Sequence, residues 1–229
     1  MSDEAPHLTD RRLRTPRAAA VAGILFALLL GTSLILIRIS IPADPADGGR
    51  WLEERGSTVA LALGLAPFAG IAFLWFIGVV RDRIGSLEDR FFSSVFFGSG
   101  LLYLAMMFVS AALAGSLLST YAIMPAQLIE SGLYTFGRAV MWRTSNVYAI
   151  RMAGVFMISL GTIWVRTHTM PRWLVFLTYG LALVLLVSIG YSLWVTLIFP
   201  GWVLIISIYI LALNLRSSGT EDGLTITLE

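Results

Sequence analysis

The chain has no cysteine and no lysine, and both absences narrow the chemistry that it can perform. Without cysteine there is no disulfide, no thiolate metal site, no thiol nucleophile and no cysteine to carry a lipid. All sixteen basic residues are arginine, so there is no amine for a Schiff base with retinal or another carbonyl ligand. These absences exclude thiol chemistry and lysine-based covalent catalysis.

Charge of either sign is scarce. Only 13% of the residues are charged, against about a quarter in soluble domains, while 57% are hydrophobic and the mean hydropathy is +0.82. This composition predicts an all-α polytopic membrane protein with no sizeable soluble domain. The net charge of +2 bears on orientation and lipid contact and does not favour nucleic-acid binding.

The apolar runs predict six transmembrane helices in one membrane domain, 18–215. Each run is about as long as a bilayer crossing requires, except that the last one is long enough for two crossings and a tight turn. A cytoplasmic tail, 1–17, precedes the domain, and a polar cytoplasmic tail, 216–229, follows it. The predicted spans are 18–37, 58–80, 91–115, 146–165 and two within 173–215.

A charged stretch from Arg81 to Arg90 between spans two and three sets the orientation. Arginine near membrane ends favours the cytoplasmic side, so we place this stretch and both termini in the cytoplasm. The layout then puts ten arginines inside and five outside, with 42–57 and 116–145 as outer connections. We expect a multi-pass protein of a bacterial plasma membrane.

Two connections need further interpretation. A long connection without structure is unusual, so we expect a helix from about Gln127 into span four, with Tyr134, Phe136 and Trp142 at the interface. The turn between spans five and six lies either at 190–192, which gives more even helices, or at 199–201.

Most familiar membrane chemistry is excluded by what the predicted spans lack. The two histidines lie in a tail and a loop, where they cannot be axial ligands of a haem within the bundle. All fourteen acidic residues also fall in tails or loops, and no protease, phosphate-binding or metal motif occurs. We therefore predict no catalytic residues, no metal site and no cofactor.

Arg151 is the one charged residue inside a predicted span, which makes it a candidate binding residue. It shares a helix side with Arg143, Gly154 and Gly161, and glycines at such spacing mark close helix approach. Arg151 is also near the outer end of the span, so its side chain has a second possible position, in the outer headgroup region.

If Arg151 faces the protein, its guanidinium needs acceptors from another segment. We name Glu130 and the backbone carbonyls freed near Pro67 or Pro200 as candidates.

The residues from Gly78 to Gly85 read Gly-Val-Val-Arg-Asp-Arg-Ile-Gly and resemble the signature between the second and third helices of major facilitator transporters. The resemblance implies that Asp82 lies against a helix end and that Arg83 helps to gate the inner side. Ser86 and Leu87 replace the basic pair that the signature carries next, and six spans are half of that fold, so such a transporter would have to be a dimer. A tight, charged cytoplasmic turn explains the same residues.

The overall layout also resembles small bacterial six-helix membrane proteins of unknown function. We interpret the chain as a non-enzymatic membrane component, a partner subunit or scaffold that contacts the bilayer, another membrane protein or a second copy of itself. The alternative is a small-solute or lipid transporter that works as an oligomer, and a lipid-modifying enzyme comes third. A water-accessible cavity surrounded by Arg151, Pro67 and Pro200 would favour the transporter.

Overall fold

The computed structural model describes residues 10–42, 48–84, 90–188 and 193–225, and no strand occurs among them. The helices are α1 (Asp10–Ser40), α2 (Arg50–Glu54), α3 (Gly56–Ile84), α4 (Arg90–Ile123), α5 (Pro125–Glu130), α6 (Leu133–Arg143), α7 (Ile150–Thr167), α8 (Arg172–Val187) and α9 (Ile198–Thr225). A π-helical segment (Thr144–Ala149) joins α6 to α7, and a 3₁₀ segment (Leu193–Leu197) precedes α9.

Five helical stretches among these residues are long and apolar enough to cross a membrane: Ala18–Ser40, Gly56–Arg81, Phe91–Ile123, Leu133–Thr167 and Trp194–Leu215. The sixth predicted span corresponds to α8, which is apolar but only 16 residues long. At 1.5 Å per residue it measures roughly 24 Å, less than the hydrocarbon core of about 30 Å. The all-helical fold predicted from composition is confirmed for the described residues, with five stretches long and apolar enough to cross a membrane instead of the six predicted.

Among the described residues, the five helices of the long apolar stretches and the shorter α8 form a ring in which each helix runs antiparallel to its neighbours. The order α1, α3, α4, α7, α8, α9 closes where α9 packs against α1. In each contact, early residues of one helix meet late residues of the next. The contacts are Ser33–Ala62 and Phe26–Phe73 between α1 and α3, Gly70–Phe108 and Gly100–Ile77 between α3 and α4, and Phe96–Phe156 and Ser110–Met141 between α4 and the helical stretch of α6 and α7. They continue with Gly154–Ala182 and Gly161–Thr178 between α7 and α8, Thr178–Trp202 and Trp173–Tyr209 between α8 and α9, and Phe26–Phe199 and Gly23–Ser207 between α1 and α9.

Aromatic side chains fill the centre of the ring. The Phe73 ring lies 4.5 Å from Phe26 and 5.6 Å from both Phe156 and Phe199, centroid to centroid. Offset and edge-on ring pairs of this kind stabilise a core beyond the area that they bury. A second apolar cluster around Trp51 lies at the end of the bundle where α2 links α1 to α3, which we call the α2 end.

Several helices are longer than the apolar runs that predicted them. Helix α1 already begins at Asp10, α4 continues to Ile123 and α9 continues to Thr225, so helix extends into both predicted tails. Hydropathy locates the part of a helix that suits the bilayer, but helical hydrogen bonds continue until the sequence or the packing breaks them.

Of the two turn positions predicted after α8, the one at 199–201 is wrong, because these residues are helical and belong to α9. Helix α8 ends at Val187, and the preferred turn at 190–192 falls within 189–192, outside the described residues. Pro200 lies in the first turn of α9, where proline is tolerated because the N–H that it lacks has no helical acceptor there.

The helix expected from about Gln127 exists as α5 and α6, interrupted at Gly132, whose φ of +76° is the left-handed conformation that favours glycine. Phe136 is 68% exposed, as an interfacial side chain would be. The prediction for Tyr134 is wrong, because this residue is 3% exposed and hydrogen-bonded inside the α2 end. Its hydroxyl accepts hydrogen bonds from Trp51 of α2 and from Arg138 of its own helix, so it finds polar partners inside the protein and not at the interface.

Candidate ligand-binding cavity

A cavity of about 520 Å³ lies between α1, α3, α4 and α6, within the range of small-molecule sites. Along α1 its lining extends from Phe26 to Ile41, which is roughly 22 Å at 1.5 Å per residue. Along α4 it extends from Tyr103 to Ala114, roughly 16 Å. The cavity is therefore elongated along the bundle and suits an extended chain better than a compact solute.

The two ends of the cavity differ in chemistry. Its inner part is walled by apolar side chains such as Phe26, Leu30 and Leu104. Three arginines, Arg38, Arg138 and Arg143, line the part near the α2 end, and no acidic residue of the described chain lines the cavity. Asp44 and Asp47 belong to 43–47, outside the described residues.

Pro67 lies on α3 next to the cavity but does not line it. Proline has no N–H to donate to the carbonyl of Leu63, one helical turn earlier, and both Leu63 and Ala66 line the cavity. The residue combination named from sequence is not present, because the lining includes none of Arg151, Pro67 and Pro200.

The π segment presents Asn146 to Arg38. The Asn146 side-chain oxygen accepts a hydrogen bond from Arg38 Nη2, and its amide nitrogen donates to the Trp142 carbonyl at 3.1 Å and to Ser145 Oγ at 2.9 Å. A π-helical turn shifts the backbone hydrogen bonds by one residue, and such turns often occur at functional sites. Here the turn brings an amide to the arginine of α1.

Hydroxyl groups satisfy carbonyls around the π segment. Thr144 Oγ1 donates to the Val140 carbonyl at 2.8 Å, and both Ser145 and Ser110 donate to the Met141 carbonyl, at 3.0 and 3.1 Å. Because Ser110 belongs to α4, the altered turn is also tied to the neighbouring helix. The side chains of residues 144–146 thus supply donors to backbone carbonyls of the turn that precedes the π segment.

Arg138 is the most buried of the three cavity arginines, at 7% exposed. Its Nη1 donates to the Tyr134 hydroxyl at 2.9 Å and its Nη2 donates to the Pro42 carbonyl, while Trp51 Nε1 also donates to Tyr134, at 2.9 Å. This network joins α6, α2 and the chain that leaves α1. Arg138 thus has a structural role at the α2 end.

Arg143 differs from the other two arginines, because it is exposed and no described residue accepts a hydrogen bond from it or pairs with it. Arg38 has one described acceptor, Asn146, for its five N–H donors. A guanidinium binds carboxylate or phosphate through two parallel hydrogen bonds, and the interaction strengthens where water is scarce. Arg143 and Arg38 are therefore suited to bind an anionic group.

Of the five binding residues predicted from sequence, the cavity contains Arg143 alone. Glu130 is exposed at the end of α5 and contacts no arginine within the described chain. Asp82 and Arg83 lie in the last turn of α3, their side chains are outside the described part of the structure, and 85–89 of the same motif is also outside it.

Arg151 is half-buried on α7, and its Nη1 donates to the Val147 carbonyl of its own helix at 2.8 Å. Among the described residues, none of the predicted acceptors from another segment binds it. The two glycines of its stripe do mark close helix approach, because a Cβ on Gly154 would lie 3.2 Å from the Ala182 carbonyl of α8 and one on Gly161 would meet Thr178. Arg151 therefore binds a backbone carbonyl one turn earlier in the same helical stretch and not the acceptors predicted from another segment.

Arg38, Arg138 and Tyr103 also line the cavity but were missed as site residues. The sequence placed Arg38 and Arg138 among arginines that only orient the chain and Tyr103 inside an apolar span. The one available signal was that Arg38 and Arg138 lie within or beside apolar stretches, where a charge is costly.

Within the described residues no group of three His, Cys, Asp or Glu side chains could hold a metal ion. The part of the chain that the structure describes is all-helical, and it has five helical stretches of membrane-spanning length and an amphipathic cavity. No protein-family model, no curated protein and no solved structure matches the chain.

Proposed function

We propose that this chain crosses the plasma membrane six times, with both termini in the cytoplasm, and binds an anionic single-chain amphiphile in the cavity. The antiparallel ring supports six crossings, since α8 lies beside both α7 and α9 and runs opposite to each. A short helix is accommodated by local thinning of the bilayer at modest cost. The arginine distribution places the α2 end outside.

The topology is testable because the chain has no natural cysteine. A single cysteine at Ser86, in the predicted cytoplasmic loop, should resist an impermeant maleimide in intact cells, whereas one at Ser131, exposed between α5 and α6, should be labelled. Both should react after the cells are opened. If the Ser86→Cys variant is labelled in intact cells and the Ser131→Cys variant is not, the orientation is the opposite of the one proposed.

The ligand class follows from the shape and the charge of the cavity together. An extended apolar wall favours one hydrocarbon chain, and Arg143 with Arg38 at the α2 end favours a carboxylate or phosphate head. Arg143 is the observation that carries the proposal, because within the described chain no protein group satisfies it.

Of the functions that the sequence left open, the cavity favours the lipid transporter. A transporter needs an internal site for its substrate, whereas a partner subunit or scaffold does not. Action as an oligomer remains a prediction, as does the scaffold. The scaffold would be supported by a protein that copurifies in constant ratio while the cavity binds no amphiphile.

Replacing Arg143 with leucine should weaken binding of hexadecanoate and hexadecyl phosphate about tenfold or more, because charge-assisted hydrogen bonds contribute about 1.5 to 3 kcal/mol. Binding of the uncharged hexadecanol should change little. The measurement is equilibrium binding to the purified full chain in nanodiscs, and the two anions distinguish a carboxylate head from a phosphate head.

Arg151→Leu is the matched control for this experiment. Arg151 is on the continuation of the same long helical stretch and is partly buried, but it does not line the cavity, so its replacement should leave all three affinities unchanged. Equal losses in the two variants, or hexadecanol binding as tight as hexadecanoate binding in the unmodified protein, would contradict the proposal.

A further inference from the structure

Tyr103 is a polar residue at the inner, apolar end of the cavity. It is 2% exposed, and its ring packs against Phe199 at 4.5 Å and Phe73 at 5.8 Å between centroids. The ring therefore belongs to the aromatic core, and phenylalanine would satisfy the same contacts. The hydroxyl is the part of the side chain that packing does not explain.

The Tyr103 hydroxyl has no hydrogen-bond partner among the described residues. Buried tyrosines usually have one, and the other hydroxyls of the inner wall do: Ser33 donates to the Ala62 carbonyl at 2.7 Å and Ser110 to the Met141 carbonyl at 3.1 Å. Among the described residues, two side-chain oxygens are fully enclosed by protein and have no hydrogen-bond partner, those of Ser40 and Ser207. The Tyr103 oxygen is not one of them, so it is not fully enclosed by protein. Since Tyr103 lines the cavity, its oxygen opens onto that space.

The distance between Tyr103 and the cationic end can be obtained from the helices. The bond from Ser110 to Met141 marks the level at which α4 meets the helix that carries Arg143. Tyr103 precedes Ser110 by seven residues, roughly 10 Å of helix, and a helical side chain points further toward the N-terminus. The hydroxyl is thus roughly 10 to 15 Å farther along the cavity than the level of Met141.

We propose that Tyr103 is a specificity-determining residue and that the ligand carries a hydroxyl or carbonyl group in the middle of its chain. This inference rests on the proposed function, since the head of the chain binds at Arg143. A tyrosine hydroxyl both donates and accepts hydrogen bonds, so it matches either group. A bound apolar chain would exclude water from the hydroxyl without offering it a hydrogen bond, which disfavours unsubstituted chains.

The test compares octadecanoic acid with 12-hydroxyoctadecanoic acid and 2-hydroxyoctadecanoic acid, bound to the full chain in nanodiscs. The unmodified protein should prefer the 12-hydroxy acid by about threefold to tenfold, the range expected for one net hydrogen bond. The 2-hydroxy acid should bind like octadecanoic acid, because its hydroxyl lies beside the head. Tyr103→Phe should abolish the preference by weakening only the 12-hydroxy acid.

Tyr121→Phe is the matched control, because Tyr121 packs at the α2 end and does not line the cavity. It should leave the preference intact. If the unmodified protein binds all three acids equally, or if Tyr103→Phe keeps the preference, the specificity proposal is wrong while the anionic-amphiphile proposal stands. If none of the acids binds, both proposals are wrong.

Discussion

Arg138→Leu should lower the free energy of unfolding by about 3 kcal/mol, because it removes two hydrogen bonds of a buried cation. The Pro42 carbonyl would lose the hydrogen bond from Arg138, and the Tyr134 hydroxyl would lose one of its donors while Trp51 still donates to it. For a chain of this size the melting temperature in detergent should fall by about 6 to 12 °C.

The control for this prediction is Arg143→Leu. It removes the same charge from the same helix, but no described residue binds Arg143, so the melting temperature should change little. The double variant with Tyr134→Phe should be less destabilised than the sum of the single variants, since both belong to one network. Equal stability of Arg138→Leu and Arg143→Leu would show that the network does not stabilise the α2 end.

Gly23→Val should also destabilise the fold by about 3 kcal/mol or more, the upper range for overpacking a buried contact. A Cβ at Gly23 would lie 2.0 Å from Ser207 Oγ and 2.9 Å from the Phe76 ring, both fully buried. Neither side chain has open space to move into, so α1 and α9 would have to separate where they close the ring. A loss of monodisperse protein and a lower melting temperature are the expected results.

Gly31→Val tests the same substitution on the same helix without the contact, because nothing lies within 4 Å of a Cβ at that position. Its stability should stay close to that of the unmodified protein, while Gly23→Ala should fall between the two valine variants. If both valine variants have the same melting temperature, close packing of α1 and α9 at Gly23 is not needed to close the ring.

The membrane-helix pattern could be predicted because it depends on local composition. The first four predicted spans each lie within a helix of the structure, and the helix expected before span four is present apart from the break at Gly132. The errors were of two kinds. Helix α9 continues past its predicted end because polar residues there remain helical. Tyr134 was assigned to the interface, although it is buried and accepts a hydrogen bond from Trp51 of another segment.

The candidate site was much less predictable. Helices α1, α3 and α4 are apolar on nearly all sides, so their sequences carry no periodicity to show which face turns inward. Arg143 was identified because charges are rare beside a span. Arg38 is also a charged residue beside an apolar run, but it is separated from Asn146 by 108 residues. Only the closed ring of helices brings the two residues together.

The sequence by itself determined that this is a helical protein with membrane-length apolar segments and that it lacks thiol and lysine chemistry. Both conclusions depend on residue types and on runs within one segment, which are local properties. The tertiary structure decided that Arg38, Arg138 and Arg143 share one cavity, that Arg151 binds its own helix and that Tyr103 has a hydroxyl without a described partner. These depend on the rotation of each helix about its axis, which is set by packing between segments and, for helices apolar all round, is not encoded in any one of them.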